Sequence, residues 1–251
     1  MNDRHVVITG GGTGIGAAIA RSLDAQGARL TLMGRRLEPL QALARELRDA
    51  RAVRCDVSDE QSVIGAFEQA ATAHGPVDIL VNNAGAAPTS PFHKLDASDW
   101  RAVMSVNLDG VFNCTSAAIP GMLEQHWGRI INIASTAAHR GYAYVSAYSA
   151  AKHGVLGLTR SLALETATKG ITVNAVCPGY TDTDIIRDSV ALIMQKTGRS
   201  EDDALAEFTR VNPQGRLIQP EEVAATVQWL CSEQARSITG QAISVSGGEV
   251  M

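Results

Sequence analysis

Short β-branched or aliphatic runs alternate along the whole chain with segments whose apolar residues recur at helical spacing. This alternation narrows the possible folds more than any other feature. The runs are Val6–Thr9, Leu30–Met33, Ala52–Cys55, Ile79–Val81, Arg129–Ile133, Ile171–Val176 and Ala242–Val245. Between them lie helical patterns over Ile15–Gln26, Glu38–Asp49, Glu60–His74, Ser98–Gln125, Ser146–Thr168 and Glu221–Ser232, with Pro220 and Pro39 marking two helix starts. Several runs are nearly continuous in hydrophobicity, as strands covered on both faces are. Strands and helices taken in turn predict an α/β fold: a doubly wound parallel sheet with helices on both faces.

At about 150 residues per domain, 251 residues leave one or two domains open. With no repeat, low-complexity tract or linker-like break, residues 1–251 are expected to form a single domain. The exception to tight alternation is 184–211, longer than a usual connection yet carrying Ile185, Ile186, Val190, Leu192, Ile193, Met194, Leu205 and Phe208. A partly apolar insertion late in such a fold reads as a helical substrate lid, with a polar break at Lys196–Asp203 around Gly198.

Charge and cysteine use exclude several classes of function. A formal net charge of −4 lacks the basic excess that phosphate-backbone binding needs, so nucleic acid is not an expected partner. Cys55, Cys114, Cys177 and Cys231 are widely spaced with no C-x-x-C pair, which argues against a disulfide scaffold and a thiolate zinc site and fits a reducing cytoplasm. Val6–Ala20 imitates a signal peptide, but Asp3 offsets Arg4 and five glycines would spoil a helical core, so it reads as a mature N-terminus. No run reaches the roughly 18 apolar residues of a membrane span. His93, His126, His139 and His153 lack metal-ligand spacing and read as surface residues, so no metal is expected. His139 and Arg140 follow Ser135 and are candidates to meet a polar or anionic substrate, while Trp100, Trp127 and Trp229 read as packing on or beside helices.

The first run passes into Thr9-Gly10-Gly11-Gly12-Thr13-Gly14-Ile15-Gly16, where the helical period begins. Glycines at a strand-to-helix turn let the backbone approach a pyrophosphate, whose charge meets free N–H groups and the helix dipole. A tight turn packing the helix on the sheet would use the same glycines. After the second run, where an NAD-selective fold places an acidic residue for the ribose, stand Gly34-Arg35-Arg36. A guanidinium fork suits a 2′-phosphate, which favours NADP(H) and leaves NAD(H) as the alternative. Asp56 and Val57 follow the third run, the Asp suited to the adenine amino group or to capping the helix near Ser58-Asp59-Glu60; Asn82-Asn83-Ala84-Gly85 follows the fourth.

Tyr148 and Lys152 stand one helical turn apart, placing an ammonium beside a phenol that needs a nearby cation to work in acid–base chemistry at neutral pH. Ser135 lies just past the fifth run, on the edge shared by Gly14, Asp56 and Asn83, and Asn107 sits inside a helix where Asn needs a local hydrogen-bonding reason.

Taken in order, Thr9-Gly10-x-x-x-Gly14-x-Gly16, Asn82-Asn83-Ala84-Gly85, Asn107, Ser135, Tyr148-x-x-x-Lys152 and Pro178-Gly179 resemble the short-chain dehydrogenase/reductases in their Rossmann-type, roughly 250-residue form. The resemblance covers essentially the whole chain. It implies that Tyr148 is the general acid or base and that Ser135 hydrogen-bonds the substrate oxygen. Lys152 would lower the phenol pKa and bind the nicotinamide ribose, and Asn107 would anchor a water in a proton relay. It also implies coenzyme contacts from Gly10, Thr13, Gly14, Ile15, Gly16, Arg35, Arg36, Asp56, Val57, Asn83, Ala84, Gly85, Pro178, Gly179, Thr181 and Thr183. The expected substrate is a small ketone or secondary alcohol, with 3-oxoacyl thioesters prominent. An NAD-dependent 3-hydroxyacyl-CoA or cyclic alcohol dehydrogenase and a catalytically silent dinucleotide-binding protein are the competing expectations. Apolar residues on more than one face of Ser98–Gln125 and Ser146–Thr168, and the habit of such relatives, point to a homotetramer or homodimer.

Overall fold

The computed structural model describes Met1 and residues 3–251. Seven strands, β1 (His5–Thr9), β2 (Arg29–Gly34), β3 (Ala50–Arg54), β4 (Ile79–Asn82), β5 (Gly128–Ile133), β6 (Ile171–Pro178) and β7 (Ala242–Val245), form one sheet in the order β3-β2-β1-β4-β5-β6-β7. Every pairing is parallel. Strand order reverses between β1 and β4, so the crevice at their C-terminal ends is where such a sheet binds ligands.

Side chains alternate between the two faces because a strand has a period of two. Val6, Ile8, Leu30, Leu32, Ile79, Val81, Ile131 and Ile133 point to one face and pack on α1 (Gly14–Asp24), α2 (Leu37–Ala44) and α9 (Pro220–Cys231) through Ile19, Leu23, Leu40, Val223, Val227 and Leu230. Val7, Met33, Leu80, Ile130 and Val173 point to the other, against α3 (Glu60–His74), α5 (Gly110–Gln125) and α6 (Ser146–Thr166). Each such large side chain, fully buried, stabilises the fold by about 1.5–3 kcal/mol.

Two expected helices differ from their sequence patterns. Ser98–Gln125 divides into α4 (Ala97–Met104), a π-helical turn over Ser105–Asp109, and α5. Asn107 sits in that turn because its side-chain amide donates to Val103 C=O at 3.0 Å and Ala86 C=O at 2.8 Å. The expected helix Glu38–Asp49 ends at Ala44, because β3 begins at Ala50, two residues before the expected Ala52, to pair Ala50 with Leu30. Residues 184–211 are helical as the apolar pattern requires: α7 (Asp184–Thr197) stops at Gly198, whose φ of +69° terminates it, and α8 (Glu201–Thr209) follows.

At the opposite, N-terminal edge of the sheet lies a buried imidazole pair that sequence reading passed over. His5 and His74 meet edge to face at 5.2 Å. His5 Nδ1 is 2.8 Å from Gly75 C=O and Nε2 is 2.9 Å from Thr31 Oγ1. Trp127 packs against the core as expected and also meets the guanidiniums of Arg4 and Arg129, whose carbons lie 3.8 and 4.4 Å from its ring centre. No helix among the described residues is long and apolar enough to cross a membrane.

Candidate active site

The turn after β1 is shaped by what glycine permits. Gly10 has φ of +62°, and a Cβ on Gly16 would fall 2.2 Å from Gly10 O, so any side chain there would push α1 off the strand. Thr9 Oγ1 accepts from Asn83 N–H and Ala84 N–H, both at 3.0 Å, while the Asn83 amide donates to Thr9 C=O at 2.9 Å and Gly10 C=O at 3.1 Å. Asn83 therefore spends its amide holding the β1 turn to the end of β4 and shapes the cleft from beneath. Thr13 makes no side-chain cap at the start of α1, so the helix's first N–H groups open on the cleft.

Two adjoining cavities follow this edge and share Gly10, Thr13, Ala84 and Gly85. The smaller, about 440 Å³, is lined by Gly34, Arg35, Arg36, Asp56 and Val57 as well. Both arginines are exposed at its rim, where no carboxylate follows β2. Asp56 does not cap α3. Its carboxylate accepts from Ser58 N–H at 3.0 Å and Ser58 Oγ at 2.6 Å, and the cap is Asp59, which accepts from Gln61 N–H. The Ser58 hydroxyl chiefly holds the Asp56 carboxyl below the ordinary carboxylate range, with the Arg35 charge adding to it and burial opposing. An uncapped helix start, a glycine turn and paired cations along one continuous groove fit a dinucleotide with an extra phosphate.

The larger cavity, about 750 Å³, brings together Ser135, Tyr148, Lys152, Pro178, Gly179, Thr181 and Thr183 with the glycine turn. Ser135 starts a 3₁₀ turn over Thr136–Ala138 and accepts from Ala137 N–H at 3.1 Å. On α6, the Lys152 ammonium is buried, donates to Ile133 C=O at 2.8 Å and lies 5.6 Å from the Tyr148 ring centre. Burial lowers the Lys152 pKa to about 8, with Cys177 opposing. The expected lowering of the phenol by Lys152 is not what this structure shows. Burial, the largest influence, raises the Tyr148 pKa, and the neighbouring Ser135 hydroxyl is the group that pulls it down. The ammonium is turned to a carbonyl instead of the phenol.

Asn107 is fully buried; besides its two donated bonds, its Oδ1 accepts from Ala86 N–H at 3.3 Å. Both amide hydrogens are spent in fixing the Gly85–Ala86 loop and Val103 C=O, and Oδ1 keeps one lone pair with which it could hold a water. Thr181 and Thr183 donate to Gly179 C=O and Thr181 C=O at 3.0 and 3.3 Å. His139 and Arg140, the candidates for a polar substrate, are exposed and do not line the cavity; Arg140 packs 4.8 Å from the Tyr142 ring centre instead.

Sequence reading missed the aromatic wall. All four tyrosines of the chain, Tyr142, Tyr144, Tyr148 and Tyr180, line this one cleft, together with Phe208 from α8. With aromatics at 4%, the crowding of Tyr142, Tyr144 and Tyr148 into seven residues was the available signal.

A family model described as short chain dehydrogenase matches residues 4–191. Among curated proteins, the chain is 42% identical to cis-4-hydroxycyclohexanecarboxylate dehydrogenase of Sinomonas cyclohexanicum, over 98% of this chain and 96% of that one. It is 39% identical to acetoacetyl-CoA reductase of Rhizobium meliloti, with 98% of each covered. Among solved structures, an actinorhodin polyketide ketoreductase variant determined with NADPH superposes with a TM-score of 0.92 at 38% identity, covering 98% of this chain and 97% of that one.

Proposed function

The chain belongs to the short chain dehydrogenase family, and on that premise we propose that it is an NADP(H)-linked oxidoreductase interconverting a ketone and a secondary alcohol. The observation that carries this reading is the convergence of Ser135, Tyr148 and Lys152 on a cavity continuous with the glycine turn. Bound along the two cavities, the nicotinamide coenzyme would supply or take up the hydride. Ser135 Oγ and Tyr148 OH would both donate to the substrate oxygen, polarising the carbonyl before charge builds on it. Tyr148 then hands over its proton, or accepts one in the reverse direction. Lys152, anchored by Ile133 C=O, would hold a positive charge beside the phenol and bind ribose hydroxyls. Gly10, Thr13, Gly14, Ile15 and the N-terminus of α1 would receive the pyrophosphate. Arg35 and Arg36 would take the 2′-phosphate, Asp56 and Val57 the adenine, and Pro178, Gly179, Thr181 and Thr183 the nicotinamide side. α7 and α8 would act as the lid, since Ile185, Ile186 and Phe208 present apolar surface to the cavity, which suits an acyl chain or an alicyclic ring.

The test is a panel of ketones, 3-oxoacyl thioesters and secondary alcohols followed by coenzyme absorbance with both nucleotides. Turnover with NADPH should exceed that with NADH by about tenfold or more, the contribution of a charge-assisted phosphate contact. A strong NADH preference would remove the role given to Arg35, and absence of turnover across the panel would remove the activity.

The four cysteines are buried free thiols, which favours a cytoplasmic setting. Phe112 on α5 and Leu164 on α6 are 57% and 82% exposed, an apolar surface that suits burial between subunits. We expect a homotetramer, or failing that a homodimer; light scattering should give a mass near that of four chains of 26.5 kDa, and a monomer would contradict it.

A further inference from the structure

The segment after β7 packs behind the wall of the active site, against Tyr142 and Gly179. After β7, Gly247 and Gly248 have φ of +62° and +93°, and a Cβ on Gly247 would fall 2.1 Å from Asn212 Oδ1. This turn, closed by Glu249 N–H donating to Ser246 C=O at 3.2 Å, delivers the Glu249 carboxylate to the Tyr142 hydroxyl, with which it hydrogen-bonds. The second carboxylate oxygen is buried without a partner and lies against Gly179, where a Cβ would come within 2.8 Å of it. An unpaired buried oxygen is costly, and an apolar side chain at this place would avoid the cost.

What the carboxylate holds explains why it is there. The Tyr142 and Thr136 hydroxyls are 2.9 Å apart. A carboxylate has no hydrogen to give, so Tyr142 donates its single proton to Glu249, and Thr136 supplies the hydrogen of the other bond. Burial first, and then Glu249, push the Tyr142 phenol up, so it keeps the proton it donates. Thr136 follows Ser135 directly in the 3₁₀ turn. Tyr142 also stands edge-on to Tyr180 at 6.3 Å, and Tyr180 edge-on to Phe208 at 5.1 Å. One carboxylate thus steadies both the ring row that walls the cavity and the turn that carries Ser135.

We propose that Glu249 is a positioning residue for the ketone, acting through Tyr142 and Thr136 on Ser135 and the aromatic wall. This rests on the oxidoreductase reading above. Steady-state kinetics on E249L, E249Q, Y142F and the E249L/Y142F double variant test it, beside NADPH binding and thermal melts. E249L should lower ketone kcat/KM about tenfold, the loss of one charge-assisted hydrogen bond, mostly by raising KM and to a smaller extent by lowering kcat through Ser135, with NADPH affinity and melting temperature little changed. E249Q, whose amide oxygen still accepts from Tyr142, should recover most of the loss. Y142F should match E249L, and the double variant should be no worse than either, because both remove the same link. A wild-type kcat/KM in E249L overturns the proposal. So does a kcat/KM loss that E249Q does not recover and that comes with weaker NADPH binding and a lower melting temperature, since that marks a merely structural role. A wild-type chain that turns over no ketone overturns the oxidoreductase reading and this proposal together, whereas an active wild type with an indifferent E249L overturns this one alone.

Discussion

Tyr148→Phe should lower kcat/KM for ketone reduction by about 10²–10⁴-fold, the range for removing a positioned general acid, while NADPH affinity stays within about twofold. The substitution deletes one oxygen and keeps the ring, so packing on α6 and the 5.6 Å spacing to the Lys152 ammonium are preserved. Burial raises the phenol pKa, which leaves Tyr148 protonated at neutral pH and ready to donate in the reductive direction. The same shift hinders alcohol oxidation, which needs the phenolate, so the oxidation rate should climb with pH while reduction does not. Initial rates in both directions, with NADPH binding followed by fluorescence, are the measurement. Undiminished turnover in the phenylalanine variant would dispose of the mechanism even if the coenzyme bound as expected.

Why Tyr148 could be picked out from sequence, and Glu249 could not, is a matter of which interactions are local. A parallel sheet brings the C-terminal end of every strand to one edge, so residues just past β1, β4, β5 and β6 must meet once the alternation is recognised. The span Glu60–His74 and the run Ala242–Val245 coincide with α3 and β7 because a single period runs through each. Ser105–Asp109 reads as part of one continuous helix because a π-helical turn adds one residue without breaking the apolar pattern, and the contact of Asn107 with Ala86, 21 residues away, is not visible in that pattern. The helical spacing runs past the end of α2 because Leu47 continues it, whereas pairing of Ala50 with Leu30 decides where β3 begins. Glu249 and Tyr142 are 107 residues apart, and neither sits in a motif that names the other. The direction of the Lys152 ammonium was equally beyond reach: four-residue spacing puts it beside Tyr148, but the Ile133 carbonyl decides where it points.

The second large effect is on stability, and it arises far from the cleft. His5 is fully buried at the N-terminal edge of the sheet and its pKa is lowered from 6.5 to about 4. Burial is the main cause and the facing His74 adds to it, while the Gly75 carbonyl works the other way. The neutral ring satisfies both neighbours: Nδ1–H can donate to Gly75 C=O while Nε2 accepts from Thr31 Oγ1. A group whose folded pKa is depressed contributes stability that is fully present above its unfolded value and is lost as pH falls towards the folded one. From pH 6.5 down to about 4 the unfolded chain therefore binds a proton that the folded chain refuses, at about 1.4 kcal/mol per pH unit, and the total loss from His5 is about 3 kcal/mol. His74, whose pKa is also lowered by burial, adds in the same direction, with Asp49 opposing. Urea unfolding of wild type and His5→Gln between pH 7.5 and 4.5 isolates the effect. The variant should start less stable by about 1–2 kcal/mol for the lost hydrogen bonding, then lose less than wild type on acidification, because glutamine does not titrate. Acidification acts on the other titratable groups of both proteins alike, so the difference between the two profiles is the quantity to read. Parallel profiles down to pH 4.5 would mean that the imidazole takes up its proton in the folded chain as readily as in the unfolded one.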